Sequence, residues 1–152
     1  MMKTSDGLIY LKIPSNKFFL GLVRKVITEL AERMDYSQED IAKIELAVDE
    51  ACTNVIQYAY TSEEKISFKG GKDEAIEIRV NINPKRIIIN ISDKGKEFDF
   101  GSYKLPDITA HFKEMQIHGL GLYIIKNFMD EVSYERSPDG VNTLKLVKYI
   151  KK

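Results

Sequence analysis

The alternation of apolar and polar positions predicts most of the elements of this chain. Residues 7–13 (GLIYLKI) read as a short strand ending at Pro14, because proline has no N–H to give to a ladder. Ser15 or Asn16 can cap the next segment, where Phe19, Leu22, Val23, Val26 and Leu30 recur at helical spacing. A second helix is predicted from the capping residue Ser37, with Asp40 three positions on. Its apolar stripe of Ile41, Ile44, Val48, Ala51, Cys52 and Val55 runs toward Tyr60.

Residues 61–74 are polar and contain the turn signal Gly70-Gly71. Ile76, Ile78, Val80 and Ile82 then alternate with Glu77, Arg79 and Asn81, the period of a half-buried antiparallel strand. Asn83-Pro84-Lys85-Arg86 turns the chain into Ile87–Ile91, which predicts a hairpin. Periodicity lapses from Asp93 to His118, around Gly95, Gly101 and Pro106, with room for a short helix in 107–116. Helical spacing returns over Gly119–Asp130, followed by a strand at Val132–Tyr134, a turn at Pro138-Asp139-Gly140 and a last strand over Val141–Tyr149. This order predicts an α+β fold, a two-layer sandwich of helices on a mixed, mostly antiparallel sheet, with residues 1–152 as one domain.

Composition removes several classes of function. With 152 residues, 43% hydrophobic and 30% charged, the chain suits one globular core. Twenty-three basic side chains balance twenty-three acidic ones, so no global field draws it to nucleic acid or an anionic membrane. Lys148, Lys151 and Lys152 read as a solvated basic end. The lone Cys52 lies in an apolar helical stretch and suits a reducing compartment. No leader pattern stands at the N-terminus and no apolar run approaches ~20 residues, so a cytoplasmic protein is expected. Two histidines and one cysteine do not make a structural zinc site, and neither a Walker loop nor the eukaryotic kinase motifs occur.

Three small constellations can carry chemistry. Glu50 and Asn54 stand four residues apart on the second helix, about 5–6 Å at Cβ, a quarter-turn from the apolar stripe. A carboxylate there can serve as a general base and an amide oxygen as a hard ligand for Mg²⁺, although spacing alone does not separate this from a surface pair. Asp93-Lys94-Gly95 follows a buried-looking strand. An acceptor at a strand end beside a glycine can meet a ligand amine, and can equally be a plain turn. Gly119-Leu120-Gly121-Leu122 opens a helix, where exposed N–H groups and the helix dipole favour an anion; a hinge or close helix packing would use the same glycines.

Taken together and in this order, the three constellations closely resemble the ATPase domain shared by gyrase, histidine kinases and MutL, the GHKL or Bergerat fold. The chain is most similar to the bacterial anti-sigma-factor serine kinases of that superfamily, over nearly its whole length. DEACTNVIQYAY at 49–60 looks like their helix box, DKGKEFD at 93–99 like their first glycine box and GLGLYIIKNFMDEV at 119–132 like their second. The resemblance implies Glu50 as general base, Asn54 as ligand to Mg²⁺ bridging the phosphates, and Asp93 as acceptor from the adenine amino group, with Gly95 letting the ring approach. It further implies Gly119, Leu120, Gly121 and Leu122 at the nucleotide, Thr143 as a hydroxyl near adenine, and an ATP lid over about 100–118. Two positions depart from the pattern: His118 stands where many relatives have glycine, and Glu97 where the wider superfamily has one.

The implied activity is phosphoryl transfer from ATP to a serine of a STAS-domain anti-anti-sigma protein. A sigma factor would be the second partner, and a homodimer the assembly. A nucleotide-binding switch that sequesters a partner without phosphorylating it stands second, since it would not need Glu50. The catalytic domain of a sensor histidine kinase and a ligand-free interaction module are the other readings. Against the former, the chain's histidines are His111 and His118, both in the expected lid.

Overall fold

The computed structural model describes residues 6–59, 74–97 and 120–151. Strand β1 (Gly7–Pro14) leads through a 3₁₀ turn into α1 (Leu20–Arg33) and then α2 (Gln38–Asn54), which continues as a π-helical turn over Val55–Ala59. After these come β2 (Ala75–Asn83), β3 (Arg86–Asp93), α3 (Leu120–Phe128), β4 (Glu131–Arg136) and β5 (Asn142–Tyr149). The expected lid and the 61–73 segment lie outside the described residues. Among the described residues, no helix is long and apolar enough to cross a membrane.

The strands form one sheet in the order β1-β2-β3-β5-β4. Every pairing among the described residues is antiparallel, where a mixed, mostly antiparallel sheet is the sequence expectation. Local chemistry sets the boundaries. Asn16 Oδ1 accepts from Phe18 N–H at 2.9 Å, and Ser37 Oγ accepts from Asp40 N–H at 3.1 Å, so both helical entries are capped as the sequence predicts. In the β2–β3 turn, Asn83 Oδ1 accepts from the N–H groups of Lys85 and Arg86.

The inward face of the sheet is built from Ile76, Ile78 and Val80 on β2 and Ile87, Ile89 and Ile91 on β3. Register places Ile78 beside Ile91 and Val80 beside Ile89. Each such buried side chain contributes on the order of 1.5–3 kcal/mol of transfer free energy. Helix α1 covers this face with Leu20, Val23, Ile27 and Ala31. That stripe is rotated from the predicted one: Ile27 is buried, whereas Leu22 is 55% exposed. The two readings differ by one residue, about 100° around a helix, and burial rather than apolar count decides which face turns inward.

Lys148 corrects the sequence reading more sharply. It is not part of a solvated end; it is 2% exposed, on the inward face of β5 opposite Ile87. Its Nζ donates to Phe128 O at 2.7 Å and lies 3.7 Å from both Asp40 Oδ1 and Asp130 Oδ1. A buried ammonium requires such partners. They join the start of α2, the end of α3 and β5. Beside it, the Tyr36 hydroxyl is inserted into the β3–β5 ladder, donating to Lys148 O at 2.5 Å and accepting from Ile87 N–H at 3.0 Å. Burial raises the pKa of that phenol far above its ordinary value, so it remains a donor.

Candidate functional site

The site lies where the ends of α2, β3 and α3 meet. Glu50 and Asn54 occupy the last turns of α2, and α3 packs against that stretch through Gly121. A Cβ on Gly121 would stand 2.7 Å from Glu50 Oε2 and 3.6 Å from each terminal atom of the Asn54 amide. The glycine therefore lets the start of α3 come directly against the polar pair. Glu50 is half-buried, and burial raises its pKa, with the neighbouring Asp49 charge adding to the effect. Asp49 is itself held by Arg24 Nη2 at 2.8 Å, across the α1–α2 seam.

Period-two alternation in β3 carries the inward face through Ile87, Ile89 and Ile91 to Asp93. Asp93 is 9% exposed. Its Oδ1 accepts from Gly95 N–H and from Asn142 Nδ2, both at 2.9 Å. Burial pushes its pKa up, while the Asn142 and Gly95 donors and the Arg136 charge pull it back. Gly95 has a backbone reason to be glycine: a Cβ there would lie 2.1 Å from Ala59 O. Lys96 N–H donates to that same carbonyl at 2.7 Å. The glycine thus lets the π turn come directly against the Asp93 turn. A π turn beside a site is a frequent functional feature.

Between these elements lies a cleft of about 620 Å³, open solvent at its mouth included. Asn54, Val55, Tyr58 and Ala59 line one wall; Leu122 and Ile125 of α3 line another. Ile91, Asp93, Lys96 and Glu97 contribute from the end of β3, and Tyr134 and Leu144 from β4 and β5. A mostly apolar lining with a few convergent polar groups is the usual composition of a small-molecule site.

The structure brings Asn54, Asp93 and Leu122 to this cleft, Gly121 and Glu50 to its flank, and Gly95 to the turn behind Asp93. Gly119, the side chain of Leu120 and His118 lie outside what is described. Thr143 does not reach the cleft. It pairs in register with Ser92, and the two hydroxyl oxygens are 2.9 Å apart on the opposite face of the sheet from Asp93. Asn142 holds the inward position instead, opposite Asp93. The signal for it was present in the chain, since Leu144 and Leu146 face inward and alternation extends that face to Asn142. Tyr58 and Lys96 also line the cleft; they fall within the helix box and the first glycine box without being singled out there, and Tyr134 lies outside all three boxes.

Chemically, the cleft offers an apolar slot with a buried carboxylate at its base, an amide at its wall and a harder-to-ionise glutamate at its flank. No cluster of three or more His, Cys, Asp or Glu side chains able to hold a metal occurs among the described residues. A hard cation here would need ligand oxygens from a bound molecule, which is how magnesium is commonly held at phosphate sites.

Residues 13–148 match the family model described as the histidine kinase-like ATPase domain. The serine-protein kinase RsbW of Bacillus pumilus is 35% identical over 153 residues, covering 98% of this chain and 90% of that protein. The serine-protein kinase RsbW of Bacillus subtilis is 31% identical, with 98% and 89% covered. Among solved structures, the SiaB–SiaC complex from Pseudomonas aeruginosa superposes with a TM-score of 0.64 at 14% identity, over 91% of this chain and 88% of that one. The RsbU and RsbW domains of a Mycobacterium tuberculosis protein give 0.63 at 14% identity, over 96% of this chain but 33% of that longer one. At such identity these two structures speak to the fold alone.

Proposed function

This chain belongs to the histidine kinase-like ATPase family, among its serine-protein kinases, and on that premise we propose that it transfers the γ-phosphoryl group of ATP to a serine of a STAS-domain anti-anti-sigma protein. The observation that carries the proposal is the junction of Glu50, Asn54 and Gly121 at the flank of a cleft with Asp93 at its base. Adenine fits the apolar slot, with its amino group donating to Asp93. Both described hydrogen bonds to that carboxylate fall on Oδ1, which leaves Oδ2 to accept. The phosphates then lie toward the start of α3, where Gly121 presents backbone rather than side chain and the helix dipole favours negative charge.

The residues fit magnesium in one specific way. Asn54 would hold it together with phosphate oxygens, and when bound it supplies charge neutralisation on the phosphates. The chain's own contribution is a base. Glu50 accepts the serine proton as the serine oxygen–phosphorus bond forms and the bond from the γ-phosphorus to the β–γ bridging oxygen breaks. Its half-buried position makes it a better proton acceptor than a carboxylate in water. On the same reading a sigma factor is the second partner, the protein works as a homodimer, and its compartment is the cytoplasm.

The test is phosphate transfer from γ-labelled ATP to a STAS-domain partner. Glu50→Gln should keep ATP binding and lose about 10²–10⁴-fold in transfer rate, the usual worth of a general base. Asn54→Ala should lose magnesium-dependent ATP binding itself. Undiminished transfer by Glu50→Gln would sink the proposal.

A further inference from the structure

Asn142 is 2% exposed, and its side-chain amide bridges the Asp93 turn and Arg136. Its Nδ2 donates to Asp93 Oδ1 at 2.9 Å and lies 3.1 Å from both Gly95 O and Lys96 O. Its Oδ1 accepts from Arg136 Nη1 at 2.7 Å, and that same nitrogen reaches Gly95 O at 3.2 Å. The orientation of the amide follows from chemistry. A guanidinium only donates, so the amide oxygen must face Arg136 and the NH₂ must face Asp93. With Gly95 N–H also on Oδ1, two described donors converge on one oxygen of a carboxylate that lines the cleft.

We propose that Asn142, oriented by Arg136, is the positioning residue that sets the base preference of the nucleotide slot. It fixes Asp93 as an acceptor for a purine carrying a 6-amino group and against one carrying a 6-carbonyl. This rests on the ATP-binding reading above and adds to it the residue pair that determines which base is read. An unbraced carboxylate in a buried turn is free to rotate or to take up a proton. In either case it loses its selective advantage for an amine donor. The pair joins β5 to β4 behind Asp93, and neither residue touches the nucleotide in this arrangement.

The experiment is calorimetric titration of the full chain with ATP and with inosine triphosphate, in the presence of magnesium, for native protein, Asn142→Leu and Arg136→Met. A hydrogen bond to a charged group contributes about 1.5–3 kcal/mol, so the native chain should prefer ATP by roughly ten- to a hundred-fold. In Asn142→Leu that ratio should collapse toward one through loss of ATP affinity, with the inosine nucleotide held as before. Arg136→Met, at an exposed position, should lower the ratio without unfolding the chain, and it carries the test if Asn142→Leu does not fold. Equal weakening of both nucleotides, with the ratio intact, would show a mere structural brace and overturn the proposal. A native chain indifferent to the exchange would overturn the adenine slot itself, and this inference with it.

Discussion

Gly95 and Gly121 both stand where a side chain does not fit, yet what a methyl group would meet differs. In Gly95→Ala the new Cβ falls 2.1 Å from the Ala59 carbonyl oxygen and 2.5 Å from its carbon. Both are backbone atoms that cannot rotate away, so the Asp93–Lys96 turn and the π turn must part by more than 1 Å, and the Lys96 N–H bond to Ala59 O at 2.7 Å goes with them. Overpacking costs about 1–3 kcal/mol and a lost hydrogen bond about 1 more, giving about 2–4 kcal/mol. For a chain of this length that corresponds to a fall in Tm of roughly 4–16 °C. In Gly121→Ala the obstacle is Glu50 Oε2 at 2.7 Å, the free end of a flexible side chain. Glu50 swings aside, the fold loses little, and helix propensity returns up to about 1 kcal/mol. The catalytic geometry suffers instead, since a displacement of about 1 Å can cost 10²-fold in rate. Thermal unfolding without nucleotide, paired with initial rates of phosphate transfer, separates the two. Gly95→Ala should melt early; Gly121→Ala should melt normally and transfer phosphate poorly. A Gly95→Ala protein melting within 1–2 °C of native, on the scale just given, would refute the contact argument.

Three further outcomes follow from the same physics. Lys148→Met removes the partner of Asp40, Asp130 and the Phe128 carbonyl; a loss of about 3–5 kcal/mol is expected, read as a lower urea midpoint at unchanged slope, and an unmoved midpoint contradicts it. Tyr36→Phe strands the Ile87 N–H and the Lys148 carbonyl inside the ladder; about 2–4 kcal/mol should be lost in the same assay, and a native midpoint would mean the hydroxyl is dispensable. Because burial and then Asp49 raise the pKa of Glu50, transfer should fall with acid at a midpoint above the ordinary glutamate value of about 4.3. Asp49→Asn removes the second cause and leaves burial, so the acid limb should move to lower pH; movement to higher pH would contradict the assignment.

What the sequence made legible is what repeats locally. Alternation in 76–82 and the apolar run of 87–91 located β2 and β3, and Ser37 and Asn83 announced a cap and a turn through their own side chains. Contacts between distant segments left no such trace. Nothing near Gly95 says that the Ala59 carbonyl will lie against it, because that depends on α2 ending in a π turn. Lys148 reads as solvated from its position near the end of the chain, and its burial follows only from register with Ile87 and the arrival of Asp40 and Asp130. Thr143 was placed by family pattern where alternation would have chosen Asn142.

That last miss marks where local rules and function conflict. Continuing an apolar face to its end would put a hydrophobe at 93, yet a carboxylate stands there with its pKa raised by burial. A carboxyl whose pKa is higher folded than unfolded binds protons more tightly in the native state. Stability therefore falls as pH rises from the unfolded value through the folded one, and at neutral pH the ionised Asp93 is a net strain on the fold. Glu50 acts in the same direction for the same reason. Asn142, the Gly95 N–H and Arg136 offset part of that strain at Asp93 by stabilising its charge. A buried asparagine held by an exposed arginine is hard to explain as packing alone. It is what an ionised acceptor at the base of a binding cleft requires, so the position the motif did not mark belongs to the same functional unit as the residues it did.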